Sequence, residues 1–116
     1  MGMPYICSKI IDVMKESNVR KMISDTVHKA SPSAKVILYG SRARGDARPN
    51  SDWDVIIIVD EPKIDFQSFM TLGNPLYDIA DENDIEINPI IYTKSQWQNS
   101  KPTLFKHNVM KEGIEI

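Results

Sequence analysis

Five consecutive β-branched residues, Val55-Ile56-Ile57-Ile58-Val59, constrain this chain more than any other feature. Branching at Cβ favours extended backbone and fits a pleated surface. The run has no polar residue at alternate positions, so neither face can meet water. That is the pattern of a central strand covered on both sides. It is predicted to span Trp53 to Val59 and to be closed by Glu61-Pro62. A shorter run, Val36 to Tyr39, ends at Gly40 and predicts a second buried strand. In Asp84 to Tyr92, Ile85 and Ile87 alternate with Glu86 and Asn88, which predicts a third strand.

Helical spacing fills the rest. Ile6, Ile10, Ile11 and Met14 form one apolar stripe, and Val19, Met22, Ile23, Thr26 and Val27 form another. Ser17 and Asn18 between them read as a break, and Ser31-Pro32-Ser33 as the end of the second helix. Ser41 to Ala47 reads as a turn plus a short helix. Phe66 to Ala80 is helical in pattern, with an interruption expected at Gly73-Asn74-Pro75. Thr93 is placed to cap a short turn holding Trp97, and Pro102 to Lys111 forms a last helix ended by Gly113. The order helix, helix, strand, strand, helix, strand, helix predicts an α/β (α+β) fold, a small mixed sheet with packed helices.

At 116 residues this is expected to be one domain, residues 1–116, without repeats or linkers. Forty-one per cent apolar residues suffice for a core of its own. The single cysteine, Cys7, cannot form an internal disulfide and reads as a small buried hydrophobe. His28 and His107 lack zinc-ligand spacing and read as surface helix residues. No apolar run approaches a membrane span, and Met1 to Ile10 lacks the pattern of a secretory signal, so a cytoplasmic location is the expectation. A net charge of -2 argues against a protein that binds nucleic acid by neutralising many phosphates.

Chemistry concentrates in Gly40-Ser41-Arg42-Ala43-Arg44-Gly45 and in Ser51-Asp52-Trp53-Asp54. Strand side chains repeat with period 2, so Asp52 and Asp54 share a face and Trp53 points to the core on the other. Their attachment points lie roughly 6–7 Å apart. Two carboxylates so held repel one another unless a cation joins them. A pair of Mg²⁺ ions about 3.5–4 Å apart fits such carboxylates and takes phosphate oxygens as further ligands. Gly40 allows close backbone approach, and the Ser41 hydroxyl with neighbouring N–H groups can hold phosphate oxygens. Arg42 and Arg44 add guanidinium groups that bind phosphate in bidentate fashion. Two rival motifs fail. Asp46-Ala47 stands where a P-loop needs Lys-Ser/Thr. Arg48 stands at a ligand position of an EF-hand, and no Gly-then-Glu pattern follows.

The combination resembles the minimal nucleotidyltransferases of the superfamily that includes DNA polymerase β. The matching segments are Gly40-Ser41-Arg42-Ala43-Arg44-Gly45-Asp46-Ala47 and Ser51-Asp52-Trp53-Asp54-Val55-Ile56-Ile57-Ile58, and the ending Phe105 to Ile114 is similar too. The resemblance implies attack on the α-phosphorus of ATP or another nucleoside triphosphate, with pyrophosphate leaving. It implies that Asp52, Asp54 and a third acid hold Mg²⁺ or Mn²⁺. It places Gly40, Ser41, Arg42 and Arg44 on the nucleotide. For the third acid Glu86 fits the family frame, with Asp84, one pleat earlier, as the alternative; Asp60 reads as a strand-end residue. Such proteins pair with a small helical partner of the HEPN class in toxin–antitoxin systems. The implied activity is transfer of AMP to a hydroxyl on that partner. The alternative is a nucleotide-binding module of weak or lost activity that regulates its partner by contact. A nucleic-acid enzyme of the same superfamily fits the acidic balance less well. Self-association is left open.

Overall fold

The computed structural model describes residues 4–48 and 50–116, with side chains described from Lys15 onward. Cys7 and the stripe from Ile6 to Met14 fall outside the described side chains. The first helix, α1 (Pro4–Ala30), runs without interruption, so the expected break is absent. Ser17 and Asn18 are exposed on its solvent side. Their weak helix propensity costs only a few tenths of a kcal/mol each. Burial of Val19, Ile23 and Val27 at successive fourth positions outweighs that cost. His28 corrects the surface reading. It is half-buried, with Nε2 2.9 Å from the Ala34 carbonyl and Nδ1 3.1 Å from Ser24 Oγ. It ties the helix end to the chain entering the sheet.

The sheet contains β1 (Lys35–Tyr39), β2 (Trp53–Val59), β3 (Ile87–Thr93) and β4 (Ile114–Glu115) in the order β3-β2-β1-β4. β1 is antiparallel to β2 and β4, whereas β2 and β3 are parallel. β2 therefore lies inside the sheet, and Val55 through Val59 are all buried. One face carries Val36, Leu38, Trp53, Val55, Ile57, Val59 and Ile87 against α1 and against α3 (Phe66–Glu82). The other carries Ile56 and Ile58 against Val109, ringed by Ile37, Tyr39, Tyr92 and Trp97. Among the described residues, α4 (Lys94–Gln98) and α5 (Leu104–Glu112) cover this second face. Its cover is thin, and it is the face on which Asp54 lies.

Two further expectations change. α3 passes through Pro75 without interruption. The residue removes one N–H from a 17-residue helix, but Leu72, Leu76, Ile79 and Ala80 are buried on both sides of it. The third strand begins at Ile87, not Asp84. Ile85 N–H closes back on the Ala80 carbonyl at 2.9 Å, and Asp84 takes a positive φ of 53°, so these residues turn out of the helix before the strand begins. Thr93 caps α4 as expected, accepting from Gln96 N–H while Gln96 Oε1 accepts from Thr93 N–H. β4 has no counterpart in the sequence reading. Two residues carry no period, and their place comes from pairing with Ile37 and Leu38.

Candidate active site

The site grows from the register of β1 and β2. Tyr39 stands opposite Asp54, so Gly40 leaves the sheet beside the start of β2. Gly40 has φ 76° and ψ -154°, a region open to glycine and costly for other residues. A Cβ there would stand 2.8 Å from Asp54 Oδ2. The glycine thus serves both the turn and the approach of backbone to carboxylate. The Gly40 carbonyl accepts from the N–H groups of Ala43 and Arg44, which starts the short helix α2 (Ser41–Arg44). Gly45, left-handed at φ 83°, ends it by donating to the Ser41 carbonyl. Ser41 lies half-buried at the first position of this turn.

Asp52 precedes β2 and is exposed, while Asp54 within it is half-buried. Asn88 on β3 is the register partner of Asp54. Its Nδ2 donates to Asp52 Oδ2 at 3.3 Å and to Asp54 Oδ1 at 3.4 Å. Among the described residues, no lysine, arginine or histidine forms an ion pair with either aspartate. Beside them Tyr39 meets Phe105 of α5 edge-on, with ring centroids 5.5 Å apart. Burial, and after it the charge of Asp54, raises the Tyr39 hydroxyl above its ordinary value of 10.

The other expected residues fall differently. The structure brings neither Glu86 nor Asp84 to the aspartate pair. Among the described residues there is no group of three or more His, Cys, Asp or Glu side chains fit to hold a metal ion. Glu86 is exposed just before β3, where its carbonyl accepts from Trp53 N–H at 2.8 Å. Asp84 is exposed in the turn. The residue facing the pair is Asn88. The sequence does carry a signal for it. Asn88 is the polar residue at the head of the apolar run Ile87 to Tyr92, as Asp54 is at the head of Val55 to Val59.

Arg42 also departs from expectation. It is buried, its guanidinium lies 4.5 Å from the centroid of Trp53, and its Nη2 donates to the Ser51 carbonyl at 2.9 Å. Glu16 Oε1 of α1 stands 3.8 Å from its Nη1, and Arg20 donates to its carbonyl. Trp53 belongs to the core on the opposite face of the sheet, as its parity requires. Arg42 therefore braces the loop that leads into Asp52. Arg44 is exposed and pairs with Asp46 at 3.2 Å and Glu112 of α5 at 3.4 Å. A cleft of about 360 Å³ occurs toward the other end of β1 and β2, beside Lys35, Ile58, Lys94 and Trp97, and takes in none of the expected site residues.

The donor set suits a hard divalent cation. Two carboxylates and an amide converge at a strand end, all oxygen-bearing and free of sulfur and imidazole. No helix among the described residues is long and apolar enough to cross a membrane.

The family model described as "Polymerase beta, Nucleotidyltransferase" matches residues 21–116. Two proteins of Methanocaldococcus jannaschii, both named "putative protein adenylyltransferase", are similar in sequence. One is 32% identical over 93% of this chain and 99% of its own length. The other is 33% identical over 68% of this chain and 73% of its own. A crystal structure described as a toxin–antitoxin with AMP-PNP superposes with a TM-score of 0.59 at 18% identity, covering 82% of this chain and 69% of that one. A Sulfolobus solfataricus structure titled "putative nucleotidyltransferase" gives 0.54 at 16% identity, covering 90% and 84%. At those identities the likeness to the two solved structures is one of fold.

Proposed function

Because the chain belongs to the polymerase-β nucleotidyltransferase family, we propose that it transfers AMP from ATP to a hydroxyl group on a protein partner. The observation that carries this reading is the meeting of the Gly40 turn with the Asp52/Asp54 pair, where the Asp54 carboxylate stands so close to the backbone that a Cβ on residue 40 would clash with it. Relatives named as protein adenylyltransferases support a protein acceptor. The likeness to a toxin–antitoxin structure supports a toxin as that acceptor, and a small helical partner of the HEPN class fits the role.

In this reading Asp52 and Asp54 hold Mg²⁺ or Mn²⁺. When bound, the ion neutralises phosphate charge and polarises the phosphorus under attack. Gly40 lets the Asp54 carboxylate lie against the turn, and the Ser41 hydroxyl donates to a phosphate oxygen. Asn88 keeps the two carboxylates turned to one side. Arg42 holds Ser51, and through it the loop that sets Asp52. Tyr39 and Phe105 form an apolar wall beside the aspartates that keeps water from one flank. The acceptor oxygen bonds to the α-phosphorus, the α–β phosphoanhydride breaks, pyrophosphate leaves, and the proton of the hydroxyl passes to solvent water.

The test is label transfer from [α-³²P]ATP to the partner with Mg²⁺. Transfer that is lost in the D52A/D54A double variant supports the reading, and equal labelling by that variant refutes it. The absence of a third carboxylate beside the pair among the described residues favours a second reading, regulation by contact alone. A D52A/D54A variant that still neutralises the partner in full would select it.

A further inference from the structure

Asn88 is the one residue of β3 whose side chain reaches both aspartates. It stands where a third carboxylate would complete a metal-binding triad. An amide differs from a carboxylate in two ways that matter here. It is neutral, so the site carries two negative charges instead of three. It also has donors and an acceptor at one tip, so it can hydrogen-bond to carboxylates in one orientation and turn its oxygen toward a cation in the other. A third carboxylate can do only the second, and without a cation it repels the pair it faces.

From this, and resting on the reading of the site as a nucleotide site, we infer that Asn88 is a positioning residue. It holds Asp52 and Asp54 together when no cation is present, and it limits the site to one divalent ion per bound nucleotide. The ligand set supports the count, since Asn88 offers a cation one neutral oxygen where a carboxylate would offer two that share a charge. The surroundings support the need for a clasp. No basic side chain among the described residues pairs with either aspartate, and Tyr39 on the same face is half-buried and apolar over most of its surface. The bonds, at 3.3 and 3.4 Å, are long enough to yield when a stronger partner arrives.

The test uses the full chain with Mn²⁺ and AMP-PNP as probes, comparing wild type with N88D and N88A. Bound Mn²⁺ is counted by electron paramagnetic resonance, and thermal midpoints are read with and without Mn²⁺. Wild type is expected to bind one Mn²⁺ per AMP-PNP and N88D two. The metal-free midpoint of N88D should fall by several degrees and be restored by Mn²⁺. N88A should keep a single Mn²⁺ but bind it roughly ten- to a hundredfold more weakly, the range expected for loss of an outer partner of a metal ligand. Two equivalents of similar affinity in wild type, or an N88D variant with unchanged count and midpoint, would overturn the inference while leaving the nucleotide site standing. Failure of wild type to bind Mn²⁺–AMP-PNP at all would overturn both.

Discussion

Replacing Gly40 with alanine tests the geometry of the site more sharply than removing a carboxylate. Two separate costs arise. A φ of 76° with ψ -154° lies where only glycine is at ease, and holding alanine there costs about 1–3 kcal/mol. The new Cβ would also stand 2.8 Å from Asp54 Oδ2. The carboxylate must then retreat by about half an ångström or more and leave its rotamer, at about 0.5–1.5 kcal/mol. The sum is about 1.5–4.5 kcal/mol. With a urea slope of about 1.5 kcal/mol/M for a chain of this size, the unfolding midpoint should drop by roughly 1–3 M. Gly45 supplies the control. It too has a positive φ, but a Cβ there meets nothing within 4 Å, so G45A should cost only about 1–2 kcal/mol. Urea unfolding followed by tryptophan fluorescence measures both, and calorimetric titration with Mn²⁺–AMP-PNP measures the site. G40A should weaken binding at least tenfold and G45A should not. Equal stability and equal binding in the two variants would refute the claim that Gly40 is there to admit the Asp54 carboxylate.

R42A should lose about 2–3 kcal/mol through its bond to the Ser51 carbonyl and its stacking on Trp53, and nucleotide binding should weaken with it as the loop that sets Asp52 loosens. Weakened binding at full stability would instead make Arg42 a phosphate ligand. D54A should leave urea stability within about 0.5 kcal/mol of wild type while abolishing Mn²⁺ binding; a large loss of stability would show that Asp54 serves the fold. Asp65 caps α3 by accepting from Ser68 N–H, which holds its carboxyl below the usual value of 3.8. A lowered folded pKa means that the cap stabilises fully above 3.8 and is lost as pH falls through the lower folded value. D65N keeps an acceptor without the titration, so its thermal midpoint should vary less than that of wild type in acid; parallel curves would remove Asp65 from the acid limb.

The strands that carry the aspartates were legible because their signals are local. The run Val55 to Val59 names its own environment, and period 2 alone places Asp52 and Asp54 on one face and Trp53 on the other. What the sequence left hidden depends on neighbours. Ser17-Asn18 and Pro75 carry breaker signals, yet Val19, Ile23 and Val27 are buried after the first, and Leu72 and Leu76 on either side of the second. Arg42 has the composition of a phosphate ligand, and only packing shows that Trp53 and Ser51 claim it. Glu86 and Asn88 share a parity, so alternation alone cannot choose between them. The choice is made by the turn at Asp84 and by the pairing of Asp54 with Asn88.

That pairing also governs how the site ages. Asparagine turns to aspartate spontaneously when the backbone nitrogen of the next residue attacks the side-chain carbonyl and expels ammonia. The residue after Asn88 is Pro89, tolerated in β3 because that strand lies at the sheet edge. Its ring nitrogen carries no hydrogen and cannot close the succinimide. The one chemical drift that would hand this site a third carboxylate is thereby blocked by the neighbouring residue. Preparations stored for weeks should keep a neutral amide at position 88 while Asn50 and Asn99, each followed by serine, deamidate.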